Sequence, residues 1–113
     1  MIHIVGAGPG DPELITVKGA RYLAEADVVI YAGSLVNPAL LDMCKAGTEI
    51  HNSAHMTLDE VVGVIARAES EGKMTVRLHT GDPAIYGAIQ EQMDAWEKCG
   101  FDYDVVPGVS SFL

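Results

Sequence analysis

At 113 residues the chain is long enough to bury one hydrophobic core and too short for two, so a single domain over 1–113 is expected. Its 16 acids against 7 bases give a net charge of -9 at pH 7, and the bases are scattered singly, which argues against nucleic acid as a partner. No apolar run approaches the roughly 18 residues of a membrane span, and Cys44 and Cys99 stand far apart with neither C-x-x-C spacing nor a secretory leader ahead of them. These features set the expectation of a cytoplasmic chain with reduced thiols and no membrane partner.

Ile2 to Val5 read as a short buried strand that stops at the loop Gly6-Ala-Gly-Pro-Gly-Asp-Pro12. Thr16 can cap a helix carrying Val17, Ala20, Leu23 and Ala24 on one face and ending before Asp27, and Val28 to Tyr31 form the second strand. After the break Gly33-Ser-Leu-Val-Asn-Pro38, a short helix is expected over Ala39 to Met43, stopped by Gly47, and then a modest strand from Thr48 to His51. Thr57 with Glu60 makes a capping box, and Leu58, Val61, Val62 and Ile65 repeat at helical spacing until Gly72. Met74 to Leu78 give the fourth strand. The loop Thr80-Gly-Asp-Pro83 follows, then a helix with Ile85, Ile89, Met93 and Trp96 on its stripe, and Tyr103 to Val106 close as the fifth strand. Strands alternating with helices in this way imply an α/β fold: a five-stranded, mostly parallel sheet with helices on both faces.

In open parallel sheets, ligands bind beyond the carboxyl ends of the strands, which makes the glycine-proline loops after the first, fourth and fifth strands the candidate site. Each loop taken singly is also an ordinary turn. Gly6-Ala-Gly8 resembles the opening of a dinucleotide fingerprint, but Asp11 stands where the third glycine belongs, and Tyr31 is followed by Ala32 and Gly33 with no acid for a ribose. A nicotinamide-linked oxidoreductase is disfavoured on that ground. A P-loop fails because no Gly-Lys-Ser/Thr follows the glycines. A sulfonium-bearing nucleoside fits such loops better, since its positive sulfur tolerates carbonyls and carboxylates. Among the other polar residues, Asp82 can serve a ligand or cap the helix starting near Ala84, and Arg77 can meet a substrate carboxylate or a supporting acid. His51 and His55 lack a third ligand at metal spacing, so no metal is expected. His3 reads as a hydrogen-bonded structural histidine, while His79, beside the Thr80 loop, stays open.

Three stretches carry a resemblance to one family. Val5-Gly-Ala-Gly-Pro-Gly-Asp-Pro-Glu-Leu-Ile-Thr-Val-Lys-Gly19 resembles the first signature of the tetrapyrrole (corrin/porphyrin) methylases. Arg77-Leu-His-Thr-Gly-Asp-Pro-Ala-Ile-Tyr-Gly87 is similar to the second, and Val106-Pro-Gly-Val-Ser-Ser111 to the third. Within the family, Val29-Ile-Tyr-Ala-Gly-Ser-Leu-Val-Asn-Pro38 is most like the precorrin-4 C11-methyltransferase branch of cobalamin biosynthesis. The siroheme-type methylases place an aspartate directly after this tyrosine, implicated there as a proton acceptor; Ala32 departs from that pattern, which argues against uroporphyrinogen and leaves no catalytic residue to assign.

The resemblance implies S-adenosyl-L-methionine as cofactor, with Pro9, Thr80, Gly81, Asp82, Ile85, Ser110 and Ser111 at its contact positions and Tyr86 beside them. It implies a corrin precursor, precorrin-4 or its cobalt form, as substrate, and a homodimer of two-domain subunits in which 1–113 is the amino-terminal α/β domain and the carboxyl-terminal domain is absent from this chain. Transfer of methyl from a sulfonium to an electron-rich carbon is an in-line displacement that needs alignment and exclusion of water more than a nucleophilic side chain. The fragment alone is therefore expected to be inactive. The alternatives at this stage are a methylase of another precorrin position and a non-catalytic binding or dimerisation half-domain.

Overall fold

The computed structural model describes residues 1–7, 17–31, 38–80 and 93–106. Five strands form one sheet: β1 (Ile2–Ala7), β2 (Val28–Tyr31), β3 (Glu49–Asn52), β4 (Thr75–Thr80) and β5 (Tyr103–Val106). They lie in the order β3-β2-β4-β1-β5, and every neighbouring pair is parallel. Two α-helices, α1 (Val17–Glu25) and α2 (Leu58–Ser70), join them, with a further helical run over 93–98 and short 3-10 helices at Pro38–Met43 and Ser53–His55.

Alternation along each strand divides the core between the two faces of the sheet. Val5, Val29, Val76 and Leu78 pack with Leu23 and Ala26 of the α1 region on one face, joined by Leu41 and Cys44. Ile2, Ile4, Val28 and Ile30 pack on the other with Val61, Ile65 and Ala68 of α2 and with Trp96. The placement follows from the topology. β1 to β2 and β2 to β3 run toward the β3 edge, and their connections cover the first face; β3 to β4 and β4 to β5 run back, and theirs cover the second, as a common hand of crossover demands.

Local signals decide where α2 begins and ends. Thr57 Oγ1 accepts from the Glu60 amide at 3.2 Å while Glu60 Oε1 accepts from the Thr57 amide, the expected capping box. At the other end Gly72 takes φ +69°, and the amides of Lys73 and Gly72 donate to Ala68 and Glu69, a Schellman closure that a side chain at position 72 would strain.

The structure corrects several sequence-based bounds. β1 and β4 each run two residues past their expected ends, to Ala7 and Thr80, because they pair with each other to that point. β3 is shifted by one residue, and the helix expected over Ala39 to Met43 is a 3-10 helix over Pro38–Met43. The face assigned to α1 holds only in part: Leu23 is buried and Ala20 half-buried as expected, but its two ends are not. Val17 is 89% exposed and Ala24 exposed, while Gly19 and Leu23 are buried, because the small alanines give little area to orient the helix against Leu23 and the half-buried Tyr22. Met93 and Trp96 do face the core; the stretch with Ile85 and Ile89 lies outside the described residues.

The amino edge of the sheet is tied together by one carboxylate. Asp27 accepts from Lys45 Nζ at 2.7 Å and from the Met74 amide at 3.0 Å, while its own backbone carbonyl accepts from the Glu49 amide at 3.0 Å. One residue therefore joins the starts of β2, β3 and β4. The Lys45 hydrogen bond, followed by that of the Met74 amide, holds its carboxyl below the ordinary value of 3.8. On β1, His3 is buried, with Nδ1 2.5 Å from Asp104 Oδ1 of β5 and its ring stacked on Tyr22 at 3.8 Å. This is the structural histidine expected from sequence.

Candidate functional site

The topology selects one place on the carboxyl edge. Ala7 at the end of β1 is paired with Thr80 at the end of β4, yet the chain leaving β1 crosses over one face and the chain leaving β4 over the other. Adjacent strands whose continuations part in this way open a crevice at the switch point. β5 ends beside β1, with Val5 paired to Val106. The three glycine-proline stretches thus leave from neighbouring strand ends β4, β1 and β5 on one edge, as the motif order requires.

Of the residues expected to hold the cofactor, Thr80 is the last residue of β4, although its side chain is outside the described part. Pro9 follows β1; Gly81, Asp82, Ile85 and Tyr86 follow β4; Ser110 and Ser111 follow β5; all seven lie outside the described residues. The side chain of His79 is likewise outside them.

The exit of β2 is described in more detail. Among the described residues the ladder between β2 and β4 runs as far as Tyr31 opposite Leu78. Ser53 Oγ, in the turn after β3, donates to the Tyr31 carbonyl at 3.0 Å. From β4, the 3%-exposed Arg77 donates through Nη1 to the Leu78 carbonyl at 3.0 Å and, at the longer distance of 3.4 Å, to that of Ile30. Burial lowers the guanidinium pKa to about 10, which leaves it charged at neutral pH. Among the described residues, the guanidinium is thus hydrogen-bonded to backbone carbonyls of β2 and β4. Sequence reasoning gave Ser53 no role, although an Asn-Ser pair directly after a strand is a turn signal in which either side chain can bond to the backbone.

The remaining candidates are structural. His51 Nε2 lies 2.8 Å from Glu49 Oε2, which also accepts from Arg67 of α2, so this cluster fastens the edge strand to the helix. His55 is exposed in the turn after β3. Among the described residues no group of three His, Cys, Asp or Glu side chains could hold a metal ion, and no helix is long and apolar enough to cross a membrane. Cys44 and Cys99 are free, and burial, with Asp42 nearby, pushes the Cys44 thiol up, which keeps it protonated at neutral pH.

Comparison with known proteins agrees with this architecture. The sequence model of the family described as Tetrapyrrole (Corrin/Porphyrin) Methylases matches residues 1–113. A cobalt-precorrin-4 C(11)-methyltransferase of Methanocaldococcus jannaschii is 61% identical over 112 residues, which are 99% of this chain and 43% of that protein. The solved structure of a cobalt precorrin-4 methyltransferase, a cobalamin biosynthetic enzyme, superposes with a TM-score of 0.90 at 55% identity, covering 97% of this chain and 46% of that one. Uroporphyrin-III C-methyltransferase from Thermus thermophilus, solved in complex with S-adenyl homocysteine, gives a TM-score of 0.76 at 35% identity over 97% of this chain and 45% of that one. The chain spans less than half the length of these relatives.

Proposed function

The chain belongs to the tetrapyrrole (corrin/porphyrin) methylases, and on that footing we propose that it is the first of two domains of an enzyme that moves a methyl group from S-adenosyl-L-methionine to C11 of precorrin-4 or its cobalt form in cobalamin biosynthesis. The observation that carries this reading is the switch-point crevice between the ends of β1 and β4. The first two signature stretches leave from it and the third from β5 beside β1, in a chain with high identity to cobalt-precorrin-4 methyltransferase.

The donor chemistry suits the cofactor. The described ends of β1 and β4 offer backbone amides and carbonyls, which can read an adenosine by hydrogen bonds and tolerate a sulfonium, and they carry none of the lysine-led phosphate cradle of a P-loop. Pro9, Thr80, Gly81, Asp82, Ile85, Tyr86, Ser110 and Ser111 are the residues proposed to hold it. The bound cofactor supplies the electrophilic methyl; the chain's own part is to align the two reactants and to exclude water, which in favourable cases lowers a barrier by about 7 to 11 kcal/mol. The enzyme is proposed to act as a cytoplasmic homodimer.

Incubating the full-length protein with S-adenosylmethionine and precorrin-4, with and without cobalt, and locating the new methyl by NMR tests the reading. A methyl at C11 is expected. A methyl on another ring carbon would move the chain to another branch of the family, and absence of both transfer and cofactor binding would refute the activity.

A further inference from the structure

The outer strand β3 is held by polar groups. None of its side chains is fully buried; Ile50, its one large apolar residue, is 42% exposed, whereas the neighbouring β2 buries Val28, Val29 and Ile30. Beside the ladder with β2, neutral bonds fix its two ends. The Glu49 amide donates to the Asp27 carbonyl at 3.0 Å, and Ser53 Oγ, just past Asn52, donates to the Tyr31 carbonyl. The described tie to the helix layer is ionic instead: Glu49 Oε2 lies 2.8 Å from His51 Nε2 and accepts from Arg67 of α2. Lys73, in the turn after α2, also attracts Glu49 and is itself paired with Glu71 at 2.8 Å, while β2 brings Val28 opposite Glu49. The hydrogen bond with His51, and then the charge of Arg67, hold the Glu49 carboxyl below its ordinary value of 4.5 against the opposing effect of burial.

We propose that Glu49 is an acid-sensitive latch: its charged carboxylate fixes β3 to α2, and its protonation frees β3 to open ahead of the rest of the sheet. A carboxyl held low in the folded state contributes in full above 4.5 and loses that contribution as the pH falls through its folded value. Below it Arg67 and Lys73, which already repel each other, lose the anion they share. The neutral bonds to β2 remain, so the consequence is local opening of one strand while the buried strands stay closed. The latch is independent of the function proposed above.

Amide hydrogen exchange of the full-length protein from pH 7 to pH 3 tests this, read as protection at 49–52 relative to 75–78 after correction for the intrinsic rate at each pH. Relative protection at 49–52 is expected to fall about two- to fivefold below pH 4.5, the size of an exposed ion pair. Glu49→Gln is expected to show the lowered protection already at pH 7 and no step in acid, and Arg67→Met a smaller step. Asp27→Asn is expected to keep the wild-type step, since Asp27 meets β3 through its backbone carbonyl. Should Glu49→Gln fail to fold, Arg67→Met carries the test. Protection at 49–52 and 75–78 falling together in the wild type, or an undiminished step in Glu49→Gln or Arg67→Met, overturns the proposal.

Discussion

The two edges of the sheet are built on opposite plans. At the amino edge the strands are closed by the chain's own groups: Asp27 joins the starts of β2, β3 and β4, and the Met1 ammonium pairs with Glu69 of α2 at 2.5 Å. At the carboxyl edge β4, β1 and β5 pass into stretches rich in glycine and proline. The side-chain support described there falls on the β2 end, where Ser53 and Arg77 donate to the Tyr31 and Ile30 carbonyls. The contrast suits a sheet that carries a site at one edge: the amino edge is tied by its own side chains, which fixes strand register, and the other passes into the loops where parallel sheets bind ligands.

The largest effect should fall on both edges alike. Trp96 is fully buried and packs edge-on against Tyr103 with ring centroids 5.8 Å apart, so Trp96→Ala is expected to cost about 3–5 kcal/mol, read as a fall in urea midpoint. A smaller loss belongs to the amino edge alone. Gly72→Ala places a side chain at φ +69° where α2 turns into β4, and about 1–2 kcal/mol of stability should disappear with S-adenosyl homocysteine affinity unchanged. The smallest effect sharpens the comparison through pH. Because the folded protein holds Asp27 below 3.8, its contribution is complete above that value and is lost as acid carries the pH down through the folded pKa. Asp27→Asn should therefore lower the melting temperature at neutral pH and flatten its fall as acid carries the pH below the ordinary carboxyl value of 3.8.

Much of this was legible in the sequence where a local signal acts alone. The bounds of β2 and β5, the Thr57 capping box and the Gly72 stop all follow from residue type and spacing. What was not legible depends on partners distant in the chain. The strand order, the bond from His3 to Asp104 and the convergence of Ser53 and Arg77 on the β2 exit join residues 22 to 101 positions apart. That Arg77 of β4 reaches the Ile30 carbonyl of β2 was not legible either, because it depends on which strand lies beside β4. The α1 face was read correctly at Leu23 and misread at Val17 and Ala24 for a different reason, since small apolar residues on two sides of a short helix differ little in the area they can bury. For the residues proposed to hold the cofactor, the family resemblance supplied the positions, and the strands they follow, β1, β4 and β5, are neighbours in the sheet.

The central claim is that the carboxyl edge is the working edge. Backbone amide exchange of the full-length protein with and without S-adenosyl homocysteine tests it most directly. Added protection at 8–16, 81–92 and 107–113, with exchange around Asp27, Gly72 and Met74 unchanged, is the expected result. Protection concentrated at the amino edge, or none at saturating ligand, would contradict it.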